Sequence, residues 1–473
     1  EARAAGTESL TIKGFTFDFT DAKGAVDIIS TTNANSLSEL AYNYSHNVTI
    51  EDNIFNGTFD ATVVAIRSQS SYNLKIIGCR GEGLFSLGQI TSIPDKLEVR
   101  NCDVTVSEGG INYTGAGNVT IEALKVVGDL YGVRAGANNE VIYSGSKLVI
   151  SGSDLEAKYP VIIRGAAETV TITDSTLTAS EDGKMINNIA NGEVTITIDG
   201  KQVLADGLTY DADSDTYEIS NANGLRYYAE AINADGTYSD ATVKLTQDID
   251  LKGIEWTPIY ANGYTGPGNN ATLTIDGNGH TISDLSKPLI GNVWSAIKVN
   301  IKNLTISHST IVDDEQDSKG NVGVGAFIGY TDAFDINLEN CHLIESTVKG
   351  GHWTGGLVGY LTGSANGMGK MNILNSSVIN STITGKGSAG GLLGHATGSA
   401  RANIDIINAT VTGNTVTSTG ASSEKAGSVM GTVGAGTVKV NNLNESNNTV
   451  KSNETIIIDR IYGRLAGGSL VID

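Results

Sequence analysis

Residues 47–55 read NVTIEDNIF. Val48, Ile50, Asn53 and Phe55 follow one another at steps of +2, +3 and +2. A step of two returns a side chain to the same face of a strand, whereas a step of three reverses it. All four can face one interior only if the chain turns a corner between Ile50 and Asn53. The pattern recurs as NLKIIGCRG from Asn73, KLEVRNCDV from Lys96, NVTIEALKV from Asn118, KLVISGSDL from Lys147 and TVTITDSTL from Thr169. The steps between copies are 26, 23, 22, 29 and 22 residues. Strands that meet at a corner and repeat at so short a period stack like positions about 4.8 Å apart, which describes a parallel β-helix. The crossover rule for parallel strands makes it right-handed. No rung can bury its own apolar face, so stability is a nearest-neighbour property and the ends need caps.

The same signature returns with a longer period at Val299-Ile301-Leu304-Ile306, Ile336-Leu338-Cys341-Leu343 and Ile404-Ile406-Ala409-Val411. Between these copies stands a second element. GAFIG closes at Gly329, GGLVG at Gly359, GGLLG at Gly394, GSVMG at Gly431 and GRLAG at Gly467, with a degenerate KPLIG closing at Gly291. The expectation is a short third strand bounded by tight glycine turns, where a Cβ would strike the neighbouring rung. Both central columns are apolar, Phe327-Leu357-Leu392-Val429-Leu465 and Ile328-Val358-Leu393-Met430-Ala466. Either one column is an outward apolar stripe, or the segments are corners or another segment covers the outer row; an unexposed row, by one or the other route, is preferred.

Bulk composition fits a repeat protein. The chain of 473 residues is 40% hydrophobic, only 6% aromatic, rich in Gly (58) and poor in Pro (5). A net charge of −21 excludes nucleic acid as the expected partner, because phosphates would be repelled. No apolar run reaches the ~18 residues of a membrane helix. Three cysteines make neither a disulfide scaffold nor a zinc site. The chain starts EARAAG, without Met or a signal peptide, so either a signal has been removed or the sequence is cut from a longer one.

The two arrays are separated by an irregular β connector at residues 201–219. The first β-helix then covers 1–200 and the second, helix-capped, covers 220–473. The cap is expected near 222–234, where Leu225, Tyr228, Ala229 and Ile232 form an amphipathic stripe. Ser220 or Asn221 can start the helix and Gly236 can end it.

The run YEISNANGLRYYAEAIN, then VKLTQDIDLKGIEWTPI, LTIDGNGHTISDLS and the GGLVG-type repeats resembles the GLUG-repeat surface proteins of bacteria, over residues ~216–473. KPLIG departs from the aromatic-containing form usual in that family. The first 200 residues resemble the generic right-handed β-helix regions of secreted bacterial proteins. The resemblance implies an extracellular or cell-surface, adhesin-like protein with no established chemistry.

Candidate sites follow from exposed chemistry. Trp256, Tyr260 and Tyr264 cluster before DGNGH, and His352-Trp353 lies in a glycine-bounded loop; such aromatics can stack on sugar rings. Packing against the helical cap is the preferred reading for Trp256. Asp211, Asp213 and Asp215 alternate as calcium ligands do, but lack the glycine and distal Glu of a calcium loop, so a solvated turn is preferred. DDEQD at 313–317 reads the same way. Arg80, Asp103, Lys125 and Asp154 share one column, either a lyase-like row of acid and base or a ladder of surface charges, the latter preferred. Cys79 and Cys102 stack on adjacent rungs with parallel Cβ vectors, which favours two thiols over a disulfide.

The expected protein is thus all-β, two right-handed parallel β-helices of three strands per rung with one capping helix. It is expected to be a non-catalytic surface adhesin or spacer that needs no cofactor or metal and binds a glycan or a surface protein. The alternative is a polysaccharide lyase or glycoside hydrolase of the β-helix type.

Overall fold

The structure, a computed structural model, describes residues 9–31, 47–59, 62–69, 73–91, 95–180, 183–235, 241–262, 272–294, 298–313, 323–331, 335–362, 370–397, 403–420, 426–434, 436–452, 455–457 and 460–473. It is β-rich, with long parallel sheets and one helix among these residues. Two compact units divide between Asp206 and Gly207.

In the first unit each rung carries up to three strands. One rung runs Asn118–Glu122, Lys125–Gly128 and Tyr131–Ala135, and the next runs Lys147–Ser151, Asp154–Ala157 and Tyr159–Ile163. Like positions stack in register: Val48 on Leu74, Leu74 on Leu97, Leu97 on Val119, Val119 on Leu148 and Leu148 on Val170. These side chains are buried, as are Ile50, Ile76, Val99, Ile121, Ile150 and Ile172 two residues on. The +3 step is a real corner. A residue in the left-handed region stands there on successive rungs, among them Asp52, Asn101, Ala123 and Asp174, with Gly78 and Gly152 filling the same column. Asn and Asp tolerate that conformation better than most side chains. The next residue points inward, apolar at Leu124 and polar on most other rungs, where its side chain serves the backbone of the preceding rung. Asn53 Oδ1 accepts from Phe15 N at 3.0 Å, Ser153 Oγ from Leu124 N at 3.1 Å and Ser175 Oγ from Ser153 N at 3.1 Å. Cys79 and Cys102 occupy this column too, buried and with no disulfide between them. The sequence ends the unit with an antiparallel hairpin, Thr195–Ile198 against Lys201–Ala205.

The second unit starts with the hairpin Leu208–Asp211/Thr216–Ile219 and the helix α1, Ala222–Asp235. Asn221 is the cap residue: its Oδ1 accepts from Gly224 N at 3.0 Å. Gly236, the expected end of the helix, lies outside the described residues. Leu225, Tyr228, Ala229 and Ile232 are buried. Asn233 closes the strand edge beside α1, donating to Pro258 O at 2.9 Å and accepting from Tyr260 N at 2.7 Å. A helix that satisfies edge groups in this way acts as a cap.

Lys298, Asp335, Lys370, Asn403, Thr437 and Ser469 then stack, giving rungs of 37, 35, 33, 34 and 32 residues. Here the expected three strands per rung are corrected to four. One rung runs Asp335–Ile344, Thr347–Gly350, Trp353–Gly355 and Val358–Thr362. The glycine element is not a strand but the corner between the last two. Leu357 and Val358 are both fully buried, as are Phe327 and Ile328, because a corner can turn adjacent residues inward. The glycines are needed for space and not for unusual torsions. A Cβ on Gly359 would sit 2.2 Å from Val324 N, and one on Gly394 2.5 Å from Gly359 O and 2.6 Å from the Thr354 backbone. The last copy was misplaced by the sequence pattern. Met430 pairs with Tyr462 and Val433 with Leu465, so the closing glycine is Gly463, and Leu465 is 41% exposed.

Candidate functional site

The aromatic candidates separate in the structure. Trp256 is a core residue whose Nε1 donates to Pro288 O at 2.9 Å. Tyr264 lies outside the described residues. Tyr260 and Trp353 belong to one face of the second unit. The residues after the closing glycines there continue a row that starts at Tyr260: Tyr260 pairs with Asn292, Asn292 with Tyr330, Tyr330 with Tyr360, Tyr360 with His395 and His395 with Thr432.

Trp353 lies across this row from the short strand before the corner. Its ring stacks on Tyr360 at 3.9 Å and 25°, and lies 5.4 Å from the His395 ring. Tyr360 meets Tyr330 at 5.3 Å and His395 edge-on at 5.5 Å. His352 sets its ring at 85° to Trp353, 5.0 Å away. Tyr330, Tyr360 and His395 are nearly buried, Trp353 is half-buried and His352 is exposed. Ser388 extends the patch, with its hydroxyl 2.7 Å from Thr432 Oγ1 and 3.3 Å from His395 Nδ1. The glycine corner makes this possible: only a hydrogen at 359 and 394 lets the aromatic strand lie on the short one. Tyr330, Tyr360 and His395 were missed in the sequence, although each directly follows a closing glycine.

The other candidates resolve into local structure. Asp211, Asp213 and Asp215 form the turn of the first hairpin, where Asp211 accepts from Asp213 N at 3.0 Å and Asp215 from the Tyr210 hydroxyl at 2.9 Å. Of the DDEQD stretch, residues 314–317 lie outside the described residues. Arg80, Asp103, Lys125 and Asp154 are in register and all exposed, a row of alternating charge along the first unit. A tighter charge cluster lies on another face. Glu98 is nearly buried among Lys96, Arg100 at 3.8 Å and Lys75 at 3.9 Å. The hydrogen bond from Lys96 holds its carboxyl below the usual glutamate range despite burial, and the charges of Lys75, Lys96 and Arg100 add to the effect. Hydrogen bonding to Cys79 and burial push the Cys102 thiol far up, and burial raises Cys341 to about 12. No helix among the described residues is long and apolar enough to cross a membrane.

These features define a β-helix-like repeat protein. No family model matches the chain, and no curated protein does. Among solved structures it is similar to a crystal structure described as a putative immunoglobulin A1 protease from Bacteroides ovatus, at 19% identity and TM-score 0.38, covering 55% of this chain and 85% of that one. That finding removes the expectation that the chain is not an enzyme, since the matched protein is itself described as a protease. So distant a likeness assigns no protease activity to this chain.

Proposed function

We propose that this chain is an exported, cell-surface module of two right-handed parallel β-helices, and that its second unit binds glycan through the Trp353 face. The handedness rests on the crossover rule for parallel strands. Membership of the GLUG-repeat surface proteins rests on the sequence blocks at ~216–473. The observation that carries the binding reading is the setting of Trp353. Its ring is fixed by Tyr360, His395 and His352, yet keeps part of its surface in solvent. A rigid, partly exposed aromatic loses little entropy when a sugar ring stacks on it.

The test is a glycan array of neutral and acidic polysaccharides, followed by titration of the best binder against wild type and Trp353→Ala. A loss of about two- to tenfold in affinity is expected, the size of one stacking contact. Equal binding by both proteins, or no binding to any glycan, overturns the reading.

A further inference from the structure

A second constellation lies on the outer face of the long strands of the second unit and owes nothing to the Trp353 face. Thr305, His342, Ser377 and Thr410 stack in register. The columns on either side of them are buried core, Leu304-Cys341 and Ile306-Leu343-Val378-Val411. Alternation therefore turns the row outward.

The row is wired to a carboxylate. Asp276 is held below the usual carboxylate range against the cost of its burial, by hydrogen bonds from Asn278 N, Asn303 and Lys302. An ionised Asp276 can only accept, so Asn303 Nδ2 donates to it, at 3.2 Å. That leaves Asn303 Oδ1 to accept from Asn340 Nδ2 at 3.2 Å, and Asn340 Oδ1 to accept from His342 Nε2 at 2.9 Å. With its proton on Nε2, His342 presents a lone pair at Nδ1, 2.8 Å from Ser377 Oγ. The carboxylate thus fixes both amides, the tautomer and the direction of the serine proton. Asn303 and Asn340 are corner residues in the left-handed region, which holds their side chains over the strand face.

We propose that Ser377 is a nucleophile toward ester carbonyls, with His342 as its general base and Asn340, Asn303 and Asp276 as positioning residues. The Ser377 Oγ proton passes to His342 Nδ1 as the bond from Oγ to the acyl carbon forms. The bond from that carbon to the leaving oxygen then breaks, and the imidazolium gives its proton to the departing oxygen. The products are acyl-Ser377 and an alcohol. Burial lowers the His342 pKa from its ordinary 6.5, which keeps the base neutral at pH 7. The charged groups on the strands around it are Lys298 and Lys302 on one side, Asp335 and Glu339 on its own strand, and Lys370 on the other side, with His308 and Glu345 at the following corners. Lys302 is drawn to Asp276, 3.2 Å away. Ser377 is only 6% exposed, so the acyl donor must be small.

The probe is p-nitrophenyl acetate, applied to the full chain across pH 4.5–8, with phenolate release timed and the acetylated residue located by mass spectrometry. One acetyl group on Ser377 is expected, absent in Ser377→Ala and formed on the order of a hundredfold more slowly in His342→Gln. In wild type the rate should fall as pH drops through a single ionisation below 6.5. An adduct elsewhere, no adduct, or the same rate in His342→Gln overturns the proposal. Should His342→Gln not fold, the wild-type profile decides: a rate without that inflection overturns it. Glycan binding by Trp353→Ala is a separate readout, so failure of one reading leaves the other standing.

Discussion

The two units share one corner and part company after it. In both, a left-handed residue breaks the strand and the next residue turns inward, as at Asn101-Cys102 in the first unit and Glu345-Ser346 in the second. The first unit then closes its rung in as few as 22 residues, Asn118 above Lys96. The second spends 32 to 37 on a further short strand and a glycine corner. That insertion brings two strands so close that the corner glycines meet backbone atoms of neighbouring rungs. It is also what gathers Trp353, Tyr360 and His395. The partly exposed aromatic patch is therefore a product of the longer rung.

If close approach is what distinguishes the second unit, one methyl group should break it. On Gly394 a Cβ would meet only backbone, at 2.5–2.6 Å, and backbone cannot swing aside. Gly394→Ala should cost about 3 kcal/mol or more, the top of the range for overpacking. Gly152 in the first unit has φ +53 and open space around its Cβ position. Gly152→Ala should cost only about 1 kcal/mol, the strain of a left-handed alanine, and Ala123 already stands at such a corner with φ 51. Urea unfolding of both variants compares them directly. Equal costs would show that torsion, and not space, selects the glycines.

The shared corner makes the opposite prediction, that equivalent removals hurt both units alike. Asn414 accepts from Ser381 N at 2.8 Å and donates to Val378 O at 2.8 Å. Asn53 accepts from Phe15 N at 3.0 Å and donates to Ile12 O at 3.0 Å. Replacing either with Ala strands two backbone groups, so each should lose about 1–3 kcal/mol. A large difference between Asn53→Ala and Asn414→Ala in the same unfolding assay would mean that the corners are not equivalent.

How much of this could be read from the sequence follows from the physics of each element. The +2, +3, +2 step was legible at Val48-Ile50-Asn53-Phe55 because strand alternation maps directly onto parity. The corner at Gly355-Gly359 was misread as a strand, since an apolar pair between glycines looks alike in either case. GRLAG misled for the opposite reason. Its composition fits the pattern, but register assigns that place to residues ending at Gly463. Of the aromatic patch, His352 and Trp353 were legible as exposed ring chemistry, whereas Tyr330, Tyr360 and His395 were visible only as the residue after each glycine. Trp256 could not be told from a binding residue until its Nε1 was seen donating to Pro288 O.

Acid should distinguish the units by a smaller effect. Glu98, in the first unit, has a folded pKa below its ordinary 4.5. Its pairing with Lys96, Lys75 and Arg100 therefore contributes stability that is complete above 4.5 and is lost as pH falls through the lower folded value. Unfolding of the first unit, followed by hydrogen exchange between pH 3 and 6, should show this slope in wild type and a weaker one in Glu98→Gln. The same slope in both proteins would place the acid sensitivity elsewhere.

The smallest effect is expected where the first unit has put sulfur into a position that elsewhere carries a hydroxyl. Ser153 Oγ donates to Ser151 O at 3.0 Å and Ser175 Oγ to Thr173 O at 2.8 Å. Cys102 Sγ stands 3.3 Å from Arg100 O, the same carbonyl two residues back. A serine at 102 would keep that contact and could accept from the rung before, as Ser153 accepts from Leu124 N. Burying a hydroxyl is costly only when it lacks partners, and here two are in place. Cys102→Ser should therefore shift stability by less than about 1 kcal/mol, with unfolding curves that nearly overlap. A loss beyond about 2 kcal/mol would mean that the thiol is held for its apolar packing, as Leu124 is in the same column.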